Sequence, residues 1–227
     1  QDKSLLRHEY KVAQSLEHPN CLRSTGIVMR KTECYVLMDL FKTPNLKQLI
    51  HSDIVTVQAR FEKLVEGICL GLGHMHDKGW IHKDLKPDNI LLNRASEVRL
   101  IDFSLAIRKA NALSKMLKSK RGVIRGTRTY LAPETIRKEV SVPATDIYSL
   151  GIIFYECLTG KPTFMGYSLN DLLKKHVGME PPPAALSNPT VTAEMNCFLG
   201  TTLKTNHTDR FQSCLELISD LVEHTYL

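Results

Sequence analysis

The stretch that decides the reading of this sequence is His82-Lys83-Asp84-Leu85-Lys86-Pro87-Asp88-Asn89, followed after two short apolar runs by Asp102-Phe103-Ser104. The runs, Ile90 to Leu92 and Val98 to Ile101, are β-type and form a short hairpin between the two polar clusters. Taken one at a time, Asp84, Asp88 and Asn89 around Pro87 are ordinary turn residues, because Asp, Asn and Pro each favour turns on their own account. Taken together, the clusters supply a carboxylate to accept a hydroxyl proton, a nearby cation, and an amide with a second carboxylate as hard oxygen donors. Phosphoryl transfer needs that set, since negative charge at phosphate must be held and neutralised.

Composition allows such a site to sit in a folded body. Of 227 residues, 43% are hydrophobic and 24% charged, a balance that supports a sizeable core and excludes intrinsic disorder. Lys and Arg exceed Asp and Glu by 30 to 24, and the resulting +6 leans toward anionic partners without resembling a nucleic-acid tail, so no nucleic acid is expected. The longest apolar runs, such as Leu150 to Phe154, fall far short of the roughly 20 residues of a membrane helix, and no signal peptide is visible. Cys21, Cys34, Cys69, Cys157, Cys197 and Cys214 lie far apart with no Cys-x-x-Cys pair. They read as thiols in a reducing compartment, which predicts a cytoplasmic location. The chain opens on Gln1, so a segment upstream is expected to have been removed.

Outward from the central stretch, apolar periodicity predicts a helix through Leu5, Leu6, Val12, Ala13 and Leu16 that stops near Glu17 ahead of Pro19. A β-hairpin follows, from Gly26 to Met29 and Tyr35 to Leu40. Phe61, Leu64, Val65, Ile68, Leu72 and Met75 predict one long amphipathic helix from Thr56 to about Lys78, stopped by Gly79. Ile147 to Leu158 is apolar nearly all round and predicts a buried helix ending before Gly160. Helical patterns recur at Leu169 to His176, Thr192 to Leu203 and Phe211 to His224, giving a small β-portion that leads into a mainly helical body.

The motifs continue through Ala132-Pro133-Glu134 and Asp146-Ile147-Tyr148-Ser149-Leu150-Gly151, and with them the sequence resembles the eukaryotic-type protein kinase family. Lys86, and Gly126-Thr127 ahead of Tyr130, resemble its serine/threonine class. The resemblance implies an α+β, protein-kinase-like fold with a mainly helical C-terminal lobe and a truncated N-terminal lobe. It implies a single domain over 1–227, with 1–41 a remnant of the N-terminal lobe and hinge and 42–227 the C-terminal catalytic lobe. ATP and Mg²⁺ are the implied cofactors, and a protein carrying Ser or Thr the implied partner. By the same resemblance Asp84 is the catalytic aspartate, Lys86 sits against the transferring phosphoryl group, and Asn89 and Asp102 hold the metal and nucleotide. Met38 matches the gatekeeper, Asp39 to Phe41 the hinge that receives adenine, and Leu91 the floor under the base. Thr127 is placed near Asp84 and Lys86, and Glu9 matches the helix glutamate that pairs with the ATP-holding lysine. Glu134 with Arg210 matches a structural ion pair, and Asp146 an anchor for the catalytic loop. His74, His76 and His82 read as structural histidines, since no further ligand cluster accompanies them.

The pattern also departs from the family. No Gly-x-Gly-x-x-Gly loop or Val-Ala-Ile-Lys-like strand precedes Glu9, so the chain as written is expected to be a weak catalyst, and a pseudokinase or scaffold that binds a protein partner stands as the rival reading. Lys83 replaces the usual arginine, which is expected to weaken control by loop phosphorylation, and Ser104 replaces the usual glycine. Between Asp102 and Ala132, Arg108, Lys109, Lys115, Lys118, Lys120, Arg121, Arg125 and Arg128 occur without an acidic residue, predicting a basic, mobile segment.

Overall fold

The computed structural model describes residues 3–109 and 128–223. α1 (Lys3–Ala13) buries Leu6, Val12 and Ala13 on one face. It ends at Ala13, short of the expected Glu17, because the chain tightens there: Ser15 donates both its amide (2.9 Å) and its hydroxyl (2.6 Å) to the Val12 carbonyl. Trp80 Nε1 donates to that hydroxyl at 2.8 Å and fixes it. β1 (Ser24–Met29) and β2 (Cys34–Met38) form the expected antiparallel hairpin, with Ile27 opposite Val36 and Val28 opposite Tyr35.

α2 (Leu46–Ser52) is too short to announce itself by periodicity, but it carries a capping box in which Asn45 Oδ1 accepts from the Gln48 amide (2.9 Å) and Gln48 Oε1 from the Asn45 amide (3.0 Å). α3 (Ile54–Gln58) begins on Asp53, whose carboxylate accepts from the Thr56 amide, and α4 (Phe61–Asp77) follows. The single helix expected over Thr56 to Lys78 is therefore two. The break falls at Ala59 and Arg60, where Arg60 leaves the helical region (φ −117°, ψ 13°) and its guanidinium donates to the Asn93 carbonyl at 3.2 Å. α4 buries the face its periodicity predicted, and Gly79 ends it at φ +77°. It lies so close to the next hairpin that a Cβ on Gly67 would stand 2.8 Å from the Val98 side chain.

β3 (Trp80–Ile81) pairs with β6 (Ile107–Arg108), and β4 (Ile90–Leu92) pairs with β5 (Val98–Leu100). These flank the loop of residues 82–89. α5 (Pro133–Ile136) leads to α6 (Pro143–Thr159), which starts on a proline, ends on left-handed Gly160 (φ +74°), and is buried from Ala144 to Leu158. α7 (Leu169–Gly178), α8 (Ala193–Thr202) and α9 (Cys214–Glu223) complete the described chain. Phe154 of α6 meets Phe61 edge-on at 5.6 Å and stacks near Phe198 at 6.3 Å, joining α4, α6 and α8 in one core. All six cysteines are free. No helix among the described residues is long and apolar enough to cross a membrane. The architecture is α+β, a small β-portion leading into a mainly helical body.

Candidate active site

Asp146, in the first turn of the buried helix α6, organises the loop of residues 82–89. Its Oδ2 accepts from the His82 amide (2.8 Å) and from His76 Nε2 (2.9 Å), and its Oδ1 accepts from the Lys83 amide (3.0 Å). Burial by itself would lower the His76 pKa, but the hydrogen bond and charge of Asp146 override it and raise the group to about 10. Burial likewise opposes the Asp146 carboxylate, and His76 outweighs it and holds the pKa below the usual range. His76 is therefore an imidazolium paired with a carboxylate inside the core. Two loop amides aimed at that carboxylate turn the chain through Lys83 at φ 72°, so that Asp84 enters the site.

Asp84 is buried, and its Oδ2 lies 2.8 Å from Lys86 Nζ. Asn89 Nδ2 donates to the Asp84 carbonyl at 2.8 Å, which turns the amide oxygen of Asn89 away from that carbonyl. The Asn89 carbonyl accepts from the Ile101 amide at 3.0 Å, and the β4–β5 hairpin thereby returns Asp102 to the side of Asn89. Asp102 adopts φ 60°, and its Oδ1 accepts from the Ser104 hydroxyl at 2.6 Å. Where glycine would leave the backbone loose, Ser104 ties the carboxylate in place. The structure thus brings Asp84, Lys86, Asn89 and Asp102 together on one loop and one hairpin. Glu9 of α1 also reaches this site: burial, and then the charge of Asp102, raise its pKa.

The segment expected to receive adenine runs from the end of β2 to α2. The Asp39 amide donates to the Arg23 carbonyl (3.0 Å), and Thr43 Oγ1 donates to the Leu92 carbonyl (2.6 Å). Leu91 bridges to Asn45, and Arg99, opposite Leu91 in the hairpin, lies 4.9 Å over the ring of Phe41. Arg99 thus links Phe41 to the strand that carries Leu91, while Met38 sits at the end of β2 with 44% of its surface exposed.

On the other side, Glu134 and Arg210 form a buried bidentate pair, with both nitrogen-to-oxygen distances 2.9 Å. Tyr130 is held by the Ser149 hydroxyl at its carbonyl (2.7 Å) and donates its own hydroxyl to Glu156 (2.7 Å). Lys47 Nζ completes that cluster 2.5 Å from Glu156. Sequence reasoning missed Lys47 and Glu156, although a lone glutamate in an otherwise apolar helix is the signal of a buried ion pair. Lys83 donates to the hydroxyls of Thr135 (2.9 Å) and Ser141 (2.6 Å), and burial lowers its pKa. Of the other histidines, His74 stacks on His18 at 4.9 Å and His82 packs against Phe103 at 5.7 Å. Arg108 lies 4.0 Å over Trp80. Thr127, Lys115, Lys118, Lys120, Arg121 and Arg125 lie outside the described residues.

The profile of the protein kinase domain family matches residues 1–227. The chain is 30% identical over 220 residues to the serine/threonine-protein kinase PknB of Mycolicibacterium smegmatis, covering 95% of this chain and 35% of that protein. It is also 30% identical over 220 residues to PknB of Mycobacterium leprae, with the same coverage of each. The chain spans about a third of the length of these curated relatives.

Proposed function

Because the chain belongs to the protein kinase domain family, serine/threonine class, we propose that it is the catalytic domain of an enzyme that transfers the γ-phosphate of ATP to Ser or Thr hydroxyls of proteins. The observation that carries this reading is the convergence of Asp84, Lys86, Asn89 and Asp102. Asp84 Oδ2 accepts the hydroxyl proton, and Lys86, 2.8 Å away, lies where negative charge develops.

Mg²⁺ fits the donor set. One amide oxygen from Asn89 and one carboxylate from Asp102 are the small number of hard ligands that Mg²⁺ takes when nucleotide phosphates and water fill the rest of its shell. When bound, the metal neutralises phosphate charge. Met38 and Asp39 to Phe41 border the adenine, and Leu91 lies beneath it. Residues 1–41 form the N-terminal lobe portion and hinge, and 42–227 the catalytic lobe. The reading places the protein in the cytoplasm, where ATP and reduced thiols coexist.

The test uses the full-length natural protein, Mg-ATP and a degenerate Ser/Thr peptide mixture. Asp84→Asn is expected to reduce phosphate transfer by about 10²- to 10⁴-fold while Mg-ATP still raises the melting temperature. Asp102→Asn is expected to abolish both. Transfer by Asp84→Asn at the wild-type rate would refute the catalytic reading. A full-length protein with no transfer and no Mg-ATP stabilisation would be a scaffold.

A further inference from the structure

His176 is a fully buried imidazole on α7, far in sequence from every residue assigned above. Its Nδ1 lies 2.9 Å from the Tyr148 hydroxyl of α6, and its ring meets Phe164 edge-on at 5.1 Å. Nε2 is buried and closes no hydrogen bond among the described residues, and α7, which carries it, packs against residues 128–130. Thr129 immediately precedes Tyr130, whose carbonyl is held by Ser149 and whose hydroxyl is held by Glu156. Tyr148 in turn lies under the Arg210 guanidinium, 4.8 Å away, and Arg210 pairs with Glu134 at the other end of the same segment. Residues 129–134 are thus gripped at one end by Glu134 and Arg210, and at the other border α7, whose His176 is tied to Tyr148 of α6.

We propose that His176 is a positioning residue for the protein substrate: the imidazole, braced by Tyr148, sets the height of the Thr129–Tyr130 backbone on which the substrate segment lies. The inference rests on the kinase reading for its substrate, and on the Tyr148–His176 contact and the packing of α7 against residues 128–130 for its geometry. A buried polar nitrogen left without a good partner is costly, and in an otherwise apolar pocket lined by Phe164 a phenyl ring would be the cheaper occupant. Burial lowers the His176 pKa to about 4, so the ring is neutral, with one nitrogen carrying the proton and the other free to accept.

The experiment compares full-length wild type with His176→Phe, which keeps the aromatic volume, His176→Gln, which restores a polar atom, and Tyr148→Phe, which removes only the bracing hydroxyl. The substrate is the best peptide from the degenerate Ser/Thr mixture. In His176→Phe the peptide KM is expected to rise about tenfold, the equivalent of one buried hydrogen bond, with the Mg-ATP dissociation constant within about twofold. His176→Gln is expected to recover part of the loss, and Tyr148→Phe to reproduce it. Hydrogen exchange at the amides of residues 129–131 is read in parallel and is expected to quicken in both Phe variants, with residues 82–92 unchanged. An unaltered peptide KM and unaltered exchange overturn the proposal, as does an equal loss of peptide and Mg-ATP affinity. If wild type transfers no phosphate, the kinase reading fails, and the exchange at 129–131 still decides whether His176 holds the segment.

Discussion

Raising the pH from 7 to 8.5 is expected to destabilise the folded protein, and His76 is the cause. Its pKa rises from the usual 6.5 to about 10 on folding, because the Asp146 carboxylate, with a smaller contribution from Cys214, outweighs burial. A group whose folded pKa is raised contributes stability that is fully present below about pH 6.5 and lost as pH climbs through about 10. Between these limits the native state binds one proton more than the unfolded chain, so stability falls by about 1.4 kcal/mol per pH unit, or about 2 kcal/mol between pH 7 and 8.5. The buried cysteines have raised pKa values, but their ordinary value of 9.0 leaves them nearly silent over most of this window. Urea unfolding at pH 7 and 8.5 is the assay, and at a slope of about 2–3 kcal/mol per molar the midpoint should drop by about 0.8 M. His76→Gln keeps a donor for Asp146 and removes the titration; Asp146 and Cys214, whose shifts depend partly on His76, titrate mostly outside this window. Its midpoint is expected to stay nearly constant over the same range. A wild-type midpoint that does not move, or one that moves equally in His76→Gln, would refute the paired imidazolium.

Replacing Arg210 by Met strands the buried Glu134 carboxylate and should cost about 3–5 kcal/mol by urea unfolding, whereas replacing Glu134 by Leu at the same time should restore much of it; a single-variant cost below about 1 kcal/mol would contradict the buried pair. Gly151→Ala sets a Cβ against Thr202 Oγ1 and within 2.9 Å of Leu203 Cδ2, and should lower stability by about 1–3 kcal/mol, measured by the same method. Ser104→Gly removes the 2.6 Å hydrogen bond that orients Asp102 and should weaken Mg-ATP binding about threefold to tenfold by calorimetry, with unchanged affinity arguing that the serine plays no part in orienting the carboxylate.

The convergence of the candidate site residues was legible because they are local. Asp84, Lys86 and Asn89 lie within one turn and loop, and Asp102 is returned to them by a hairpin whose β-type runs are visible in sequence. The buried helix around Ile147 to Leu158 and the apolar face of α4 followed from residue type and spacing alone, and the family resemblance from motifs met in the family's order. The break at Arg60 was not legible, because its cause is a carbonyl at Asn93 that reaches Arg60 only in the folded chain. The end of α1 was hidden for the same reason, since the hydroxyl of Ser15 is fixed by Trp80.

The sequence alone determined which groups are available for chemistry and which faces must be buried, because periodicity and residue type act over a few neighbouring positions. Tertiary structure decided charge state and orientation. His76 is cationic because Asp146 comes to it across 70 residues, and His176 is neutral because burial outweighs every nearby acceptor. Lys47 finds Glu156 across 109 residues. A pKa is set by what surrounds a group in space, and no reading of neighbours along the chain contains that information.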